Sequence, residues 1–416
     1  MKVLKINGGH ELAGTIEIGG AKNSAVALVP AAILSDKATI TNIPEISDIK
    51  ALKQIIDYLE ADFIQEKDQI IIDSKNLKNK PITLEQSKML RASYYFMGAL
   101  LGKFKHAEMY FPGGCTIGER PINLHLEGFE KLGAKVTVEN DKYIIDAKKL
   151  IGTEIDLSFA SVGATINLLL AAVCAEGQTI IKNAAREPEV GNVIDFLNSM
   201  GANIKGKDTS VLIIEENKKL TGGKVETIPD RIEAGTYIIA GVMAGKNLKI
   251  NNIIPQHLQS LIDKLYEMDA DIRIENNYIV ANKTEKIKPI KVTTETYPGF
   301  PTDLQQPLTS LLALADGESK ITETIYENRF QNVPYLNQMG ANIKIKDRTI
   351  NIKGPTKYIN GEVITTDLRA GAALILAALS AEGLTTIKEI KHVLRGYENI
   401  IKKLSKVGAE IKLEDV

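Results

Sequence analysis

Six copies of one unit run through this chain, and each ends in the same short signature. Leu59-Glu60-Ala61-Asp62, Leu132-Gly133-Ala134-Lys135, Met200-Gly201-Ala202-Asn203, Met268-Asp269-Ala270-Asp271, Met339-Gly340-Ala341-Asn342 and Val407-Gly408-Ala409-Glu410 all close an amphipathic helix. A β-like stretch follows each. Counted on the shared alanine, the copies are spaced by 73, 68, 68, 71 and 68 residues. Such a period is read before any other fold feature. It also sorts the chemistry, because the unusual polar residues fall at only two places in the repeat.

Within a copy, the first helix is rich in Ala and Leu, as in residues 25–34 and 370–379. Apolar residues nearly all round mark it as buried. A Gly-containing turn, a short strand and a loop lead to a second, amphipathic helix, then the signature and a strand pair. Each unit thus reads βαβαββ, and the fold class is α/β. Three buried helices per domain, walled by sheets and outer helices, make a compact prism. The expected domains are residues 22–229, and residues 1–21 with 230–416. The N-terminal residues read as a hairpin, Leu4-Lys5-Ile6 with Thr15-Ile16-Glu17-Ile18, that pairs with the last repeat.

Lys and Arg number 51 against 52 Asp and Glu, a formal charge of −1. That argues against a generic nucleic-acid or membrane-surface binder. The start, Met1-Lys2-Val3-Leu4-Lys5-Ile6, is too short and charged for a signal peptide, and no apolar run is long enough to span a membrane. Cys115 and Cys174 make no disulfide framework, and a reducing cytoplasm is the expected location. The five histidines lack metal-ligand spacing, so no metal is expected. The oligomeric state stays open, a monomer included.

The two polar places in the repeat are the start of the first helix and the loop before the second. The first carries Lys22-Asn23-Ser24, Arg91-Ala92-Ser93, Ser161-Val162-Gly163, Asp230-Arg231, Asp303-Leu304-Gln305 and Asp367-Leu368-Arg369. The second carries Asp48, Gly113 to Arg120, Arg186 to Glu189, Gln256-His257, Asn328-Arg329 and Arg395 to Glu398. Equivalent positions lie at one end of each domain, where helix N-termini favour anions. With Lys22, Arg91, Arg120, Arg329, Arg369 and Arg395 added, each domain gains a cationic end. An interdomain cleft between two such ends suits a polyanionic substrate. Ser161, Asp230, Asp303 and Asp367 could also be plain N-caps, a reading that suits Ser161 and Asp230 better than Asp303 and Asp367, which arginines accompany. Gly19-Gly20-Ala21-Lys22 lacks Walker spacing. Phe111 to Pro121 is the most irregular segment. Its glycines beside Cys115 suggest a mobile loop carrying a reactive thiol, whereas Cys174 reads as core.

These residues together resemble the enolpyruvyl transferases over the whole chain. The most specific pieces are Gly20-Ala21-Lys22-Asn23, Pro112-Gly113-Gly114-Cys115 with Gly118 to Pro121, Ser161 to Thr165, Pro229 to Glu233, Pro298 to Asp303, Glu327 to Phe330, Asp367 to Gly371 and Arg395 to Glu398. The resemblance implies a two-domain inside-out α/β barrel (alpha-beta prism) of six βαβαββ repeats. It implies transfer of the enolpyruvyl group of phosphoenolpyruvate to the 3′-hydroxyl of UDP-N-acetylglucosamine in peptidoglycan precursor synthesis, with no cofactor. Cys115 matches the family's proton donor and adduct-forming thiol, and Asp303 its general base. Lys22, Asn23, Arg120, Arg329 and Arg395 match the phosphoenolpyruvate site. Arg91, Arg120, Pro121, Ile122, Asn123, Leu124, Ser161, Val162, Gly163, Asp303 and Ile325 match the nucleotide-sugar site. Asp367 and Arg369 match cleft closure. A cysteine at 115 also implies inactivation by the epoxide fosfomycin. Two departures stand out: Asn123 replaces a frequent aspartate near uracil, and Phe159-Ala160 precede Ser161 where some members have lysine. The alternatives are the sister activity on shikimate 3-phosphate, which shares the Lys/Arg cradle, and a silent nucleotide-sugar-binding regulator.

Overall fold

The repeat signature has a physical origin that the backbone displays six times. The second signature residue takes a left-handed conformation in every copy, with φ of 60° at Glu60, 92° at Gly133, 101° at Gly201, 57° at Asp269, 94° at Gly340 and 100° at Gly408. The alanine that follows donates its N–H to a carbonyl five residues back: Ala61 to Ile56, Ala134 to Phe129, Ala202 to Leu197, Ala270 to Leu265, Ala341 to Leu336 and Ala409 to Leu404. This is the Schellman helix stop, which satisfies end carbonyls and tucks a small apolar residue against the last turn. Glycine is favoured because left-handed φ carries no side-chain penalty there.

The computed structural model describes residues 2–110, 118, 121–217 and 219–415. Its described residues form two compact units, one from 20–110, 121–217 and 219–228, the other from 2–19, 118 and 229–415. Each is built on three inner helices. In the first these are α1 (Lys22–Ala32), α2 (Tyr95–Phe104) and α3 (Val162–Ala172). In the second they are α4 (Arg231–Ala244), α5 (Thr302–Leu312) and α6 (Leu368–Ser380). Every residue of α1 from Ser24 to Ala32 is buried, and all fourteen residues of α4 are. The outer helices are one-sided instead: Ser47–Tyr58 buries Ile49, Leu52, Ile55 and Ile56, a 3.6-residue stripe.

Three separate sheets wall each unit among the described residues, with no strand pairing that links one sheet to the next. In the third copy Glu154–Asp156 lies parallel to Thr179–Lys182, with α3 as the crossover, and Val211–Ile214 adds antiparallel. The fifth and sixth copies repeat this arrangement around α5 and α6.

The N-terminal hairpin expected from the sequence does not form. Strand β1 (Lys2–Gly8) lies between Gly383–Lys388 and Glu410–Asp415 of the last repeat. Strand β2 (Leu12–Glu17) instead runs parallel to Gly245–Asn251 in a different sheet. It is the leading strand of the fourth copy, while Gly223–Glu226, just before the fourth copy in sequence, pairs parallel with Lys37–Thr41 of the first. The two copies exchange leading strands because the chain passes between units at Gly19/Gly20 and Ile228/Pro229. No described helix is long and apolar enough to cross a membrane.

Candidate active site

In the first and fifth copies the two polar places of the repeat meet at the N-terminal end of the inner helix. In the first copy Lys22, which opens α1, places Nζ 3.2 Å from Oδ2 of the buried Asp48. In the fifth copy the signs reverse. Asp303, the second residue of α5, accepts from Nη2 of Arg329 at 2.6 Å. Its other oxygen accepts from Nη2 of Arg369 at 3.1 Å. Both arginines are almost wholly buried, with side chains 3% and 4% exposed, whereas Asp303 is 27% exposed. The carboxylate therefore faces outward on a cationic bed. Charged forks of this kind are costly to bury without such pairing.

Of the four acidic or hydroxyl residues that could simply cap helices, three do. Ser161 accepts from the Ala164 N–H, Asp230 from those of Ile232 and Glu233, and Asp367 from those of Arg369 and Ala370. Asp303 does not: α5 is entered through Pro301 with no side-chain cap, and both Asp303 oxygens go to arginines. The helix-start position thus carries two different functions. Asp367 reaches the same cluster through Gln306, whose Nε2 donates to its Oδ2 at 3.3 Å and to the Arg329 carbonyl at 2.6 Å.

Buried Glu323 holds the Arg329 loop. Its Oε1 accepts from the N–H groups of Ile325 and Tyr326 and from Thr294, while Oε2 accepts from Thr302 at the start of α5. Nothing in the sequence pattern singled Glu323 out, since it lies at a strand end among ordinary polar residues. Arg329 also packs its guanidinium 5.6 Å from the Tyr326 ring centre. Arg395 follows the short helix Lys391–Leu394, on the exposed side.

In the first unit Arg91 opens a 3-10 turn rather than the long inner helix, which begins at Tyr95. Beside it lies His125, also missed by the sequence reading. The Gly98 N–H donates to Asn167 Oδ1 at 2.8 Å, which fixes that amide. Its Nδ2 then faces His125 Nδ1 at 2.9 Å, so the ring nitrogen accepts and the imidazole is neutral. Burial, reinforced by the Arg91 charge, pushes the His125 pKa down to about 3. Tyr94 stands edge-on to the ring at 5.2 Å. Together they form a tight floor under Gly163, where a Cβ would come within 2.9 Å of the Tyr94 hydroxyl and 3.1 Å of His125.

Val162 and Gly163 open α3, and Asn123 and Leu124 open the helix Asn123–Lys131, preceded by exposed Pro121 and buried Ile122. Asn23 follows Lys22 on α1, and Ile325 lies between Glu323 and Arg329. Phe159 is 46% exposed just before the Ser161 cap. Cys115 and Arg120 lie outside the described residues. Cys174 packs against the core, and burial raises its thiol pKa. Among the described residues no group of His, Cys, Asp and Glu is arranged to hold a metal.

Known proteins share this sequence and architecture. Residues 6–404 match the family model described as EPSP synthase (3-phosphoshikimate 1-carboxyvinyltransferase). UDP-N-acetylglucosamine 1-carboxyvinyltransferase 2 of Bacillus subtilis is 48% identical over 99% of this chain and 96% of its own length. UDP-N-acetylglucosamine 1-carboxyvinyltransferase of Clostridium botulinum is 48% identical over 99% of both. The enolpyruvyl transferase NikO from Streptomyces tendae superposes with a TM-score of 0.91 at 26% identity, over 100% of this chain and 99% of that one. EPSP synthase from Acinetobacter baumannii shares the fold, with a TM-score of 0.76 at 19% identity over the whole of both chains. The chain belongs to the enolpyruvyl transferase family.

Proposed function

We propose that this chain is a UDP-N-acetylglucosamine 1-carboxyvinyltransferase. It transfers the enolpyruvyl group of phosphoenolpyruvate to the 3′-hydroxyl of UDP-N-acetylglucosamine and releases phosphate, the first committed step of peptidoglycan precursor synthesis. The observation that carries the reading is near-half identity, end to end, with proteins of that name. The Asp303–Arg329–Arg369 cluster supports it, because it offers a base against a cationic bed.

In this reading Cys115 delivers a proton to C3 of the enol, which makes C2 electrophilic. Asp303 accepts the proton of the sugar hydroxyl as its oxygen bonds to C2. Loss of a C3 proton and of phosphate from the tetrahedral intermediate restores the enol ether. Lys22, Arg120 and Arg395 hold the phosphate and carboxylate, Arg329 assists at the carboxylate, and Asn23 contacts the reacting centre. The nucleotide sugar runs along Arg120 to Leu124 and Ser161 to Gly163, with Ile325 at the sugar. Arg91, Asp367 and Arg369 keep the closed state together. The expected setting is the cytoplasm.

The test is phosphate release from phosphoenolpyruvate with UDP-N-acetylglucosamine or shikimate 3-phosphate, before and after fosfomycin. Release with the nucleotide sugar alone, abolished by the epoxide with a mass increase on Cys115, is expected. Release with shikimate 3-phosphate would move the chain to the sister activity. Nucleotide-sugar binding with no release would make it a regulator.

A further inference from the structure

Tyr397 is the largest group at the candidate site to which no role has yet been given. It is 1% exposed and lies between the helices Lys391–Leu394 and Ile400–Lys406. Its ring centre is 5.2 Å from the guanidinium carbon of Arg369. Its hydroxyl is 2.9 Å from Thr236 Oγ1. Thr236 in turn donates its single proton to the Ile232 carbonyl at 2.9 Å. The phenol must therefore be the donor to Thr236, and the chain of bonds has one direction. Thr236 sits on α4, Asp303 on α5 and Arg369 on α6, so this one aromatic residue ties the N-terminal ends of all three inner helices of its unit.

The Arg369 guanidinium needs such a support. Its Nε and Nη1 are buried without a hydrogen-bond partner among the described residues. Its side-chain bonds run to Asp303, at 3.1 Å from Nη2, and to the Tyr397 hydroxyl, whose oxygen accepts from the guanidinium. The Tyr397 ring and its hydroxyl are then the contacts that select one orientation, and such contacts strengthen when water is excluded.

We propose that Tyr397 is a positioning residue that holds Arg369 in the orientation from which Nη2 reaches Asp303, with Thr236 as the anchor of the phenol. The proposal rests on the function given above. It predicts a graded series: Tyr397→Phe, which keeps the ring but loses both the anchor and the hydroxyl's bond to Arg369, lowers kcat roughly 3- to 10-fold, and Tyr397→Leu lowers it about 100-fold, both with small changes in KM. Thr236→Val should lower kcat no more than Tyr397→Phe does, and the double variant should lose no more than Tyr397→Phe alone. The acid limb of the kcat–pH profile should move in Tyr397→Leu, because Asp303 loses a charged partner. A merely structural Tyr397 would lower the melting temperature and leave kcat of the folded enzyme within about 2-fold and its pH limb in place; that result overturns the proposal. A readout without turnover separates this from the functional reading. The Arg369 guanidinium proton signals, assigned by their loss in Arg369→Lys, should carry a ring-current shift that disappears in Tyr397→Phe,Thr236→Val only in part and in Tyr397→Leu entirely. Unchanged signals in Tyr397→Leu would overturn the proposal whatever the activity. A wild-type protein with these signals but no phosphate release would sink the functional reading and leave the positioning intact.

Discussion

At the residue scale, charge placement at one repeat position divides structural from chemical use. Asp367 and Asp230 each turn one carboxylate oxygen to backbone N–H groups, whereas Asp303 turns both of its own to guanidinium groups. Asp303→Asn removes the charge that two buried arginines share, and its amide would point one N–H pair at another. General-base loss alone commonly costs about 10² to 10⁴ in rate. Turnover should thus fall at least about 100-fold while nucleotide-sugar binding, measured by calorimetry, survives. Retained turnover would remove Asp303 from the chemistry. Two further buried groups predict opposite responses to pH. His125 ordinarily titrates near 6.5 but near 3 in the folded chain. The unfolded chain therefore takes up a proton the folded one refuses, and the His125 contribution, full above about 6.5, is lost as pH falls toward about 3. At the limit this amounts to roughly 5 kcal/mol, from about 1.4 kcal/mol per unit. Glu233 goes the other way. Burial, partly offset by Lys403 at 2.7 Å, raises its pKa from 4.5 to about 7. Its contribution, full below about 4.5, is lost as pH rises through about 7, roughly 3 kcal/mol in all. Urea unfolding between pH 4 and 8 should show His125→Gln softening the acid-side loss and Glu233→Gln removing the decline toward neutrality. Slopes identical to wild type in both variants would contradict these assignments.

At the scale of elements, the inner helices approach closely enough that single methyl groups decide packing. A Cβ at Gly98 on α2 would lie 2.3 Å from the Asn167 carbonyl oxygen on α3 and 2.8 Å from its Oδ1. At Gly235 on α4 the nearest atoms are instead the Leu304 methyl groups, at 2.7 and 2.9 Å. Alanine gains about 1 kcal/mol of helix propensity at either site. At Gly98 the obstacle is backbone, and overpacking of 1–3 kcal/mol is joined by loss of the Gly98-to-Asn167 bond that orients the neutral His125. Gly98→Ala should therefore destabilise by about 2 kcal/mol or more. At Gly235 a flexible side chain can yield, so Gly235→Ala should stay within about 1 kcal/mol of wild type. Equal effects in denaturant titrations would refute the distinction. The same contrast explains what the sequence could reveal. Ala- and Leu-rich stretches announced buried, closely packed helices, and the Gly-Ala signature announced a helix end. Which glycine touches backbone is a tertiary fact with no local pattern. The arginines and Asp303 stood out because charge is unusual at the start of an apolar helix. His125, Asn167 and Glu323 did not, since each acts through a partner at least 21 residues away or, as with the Glu323–Ile325 contact, through an ordinary backbone turn; Tyr397 lay within the Arg395 to Glu398 segment, but nothing local tied it to Arg369.

At the scale of the whole molecule, the sequence reading failed where strands change allegiance. β2 reads as the return strand of a hairpin because its only near neighbour in sequence is β1. Its actual partner, Gly245–Asn251, is parallel and more than two hundred residues on, and parallel pairing needs a crossover that no short-range pattern encodes. The result is a unit whose sheets depend on the far end of the chain. β1 is the inner strand between Gly383–Lys388 and Glu410–Asp415, and β2 is the edge strand beside Gly245–Asn251. Residues 20–228, by contrast, contain all the strands of their own three sheets, including Gly223–Glu226. Expressed alone, that segment should fold cooperatively, whereas residues 229–416 should not, because removal of β1 strips the ladder from two neighbours at once and exposes their apolar face. The missing strands can be restored without the other unit. Lys2 pairs antiparallel with Asp415, so a short hairpin linker from the C-terminus into β1 spans the gap. A permuted chain of residues 229–416, linker and 1–19 should regain a single sharp thermal transition that 229–416 lacks. If 229–416 alone melts as sharply as the permuted chain, β1 and β2 are accessories to that unit rather than part of its core. If neither melts cooperatively, the unit takes its stability from the rest of the molecule.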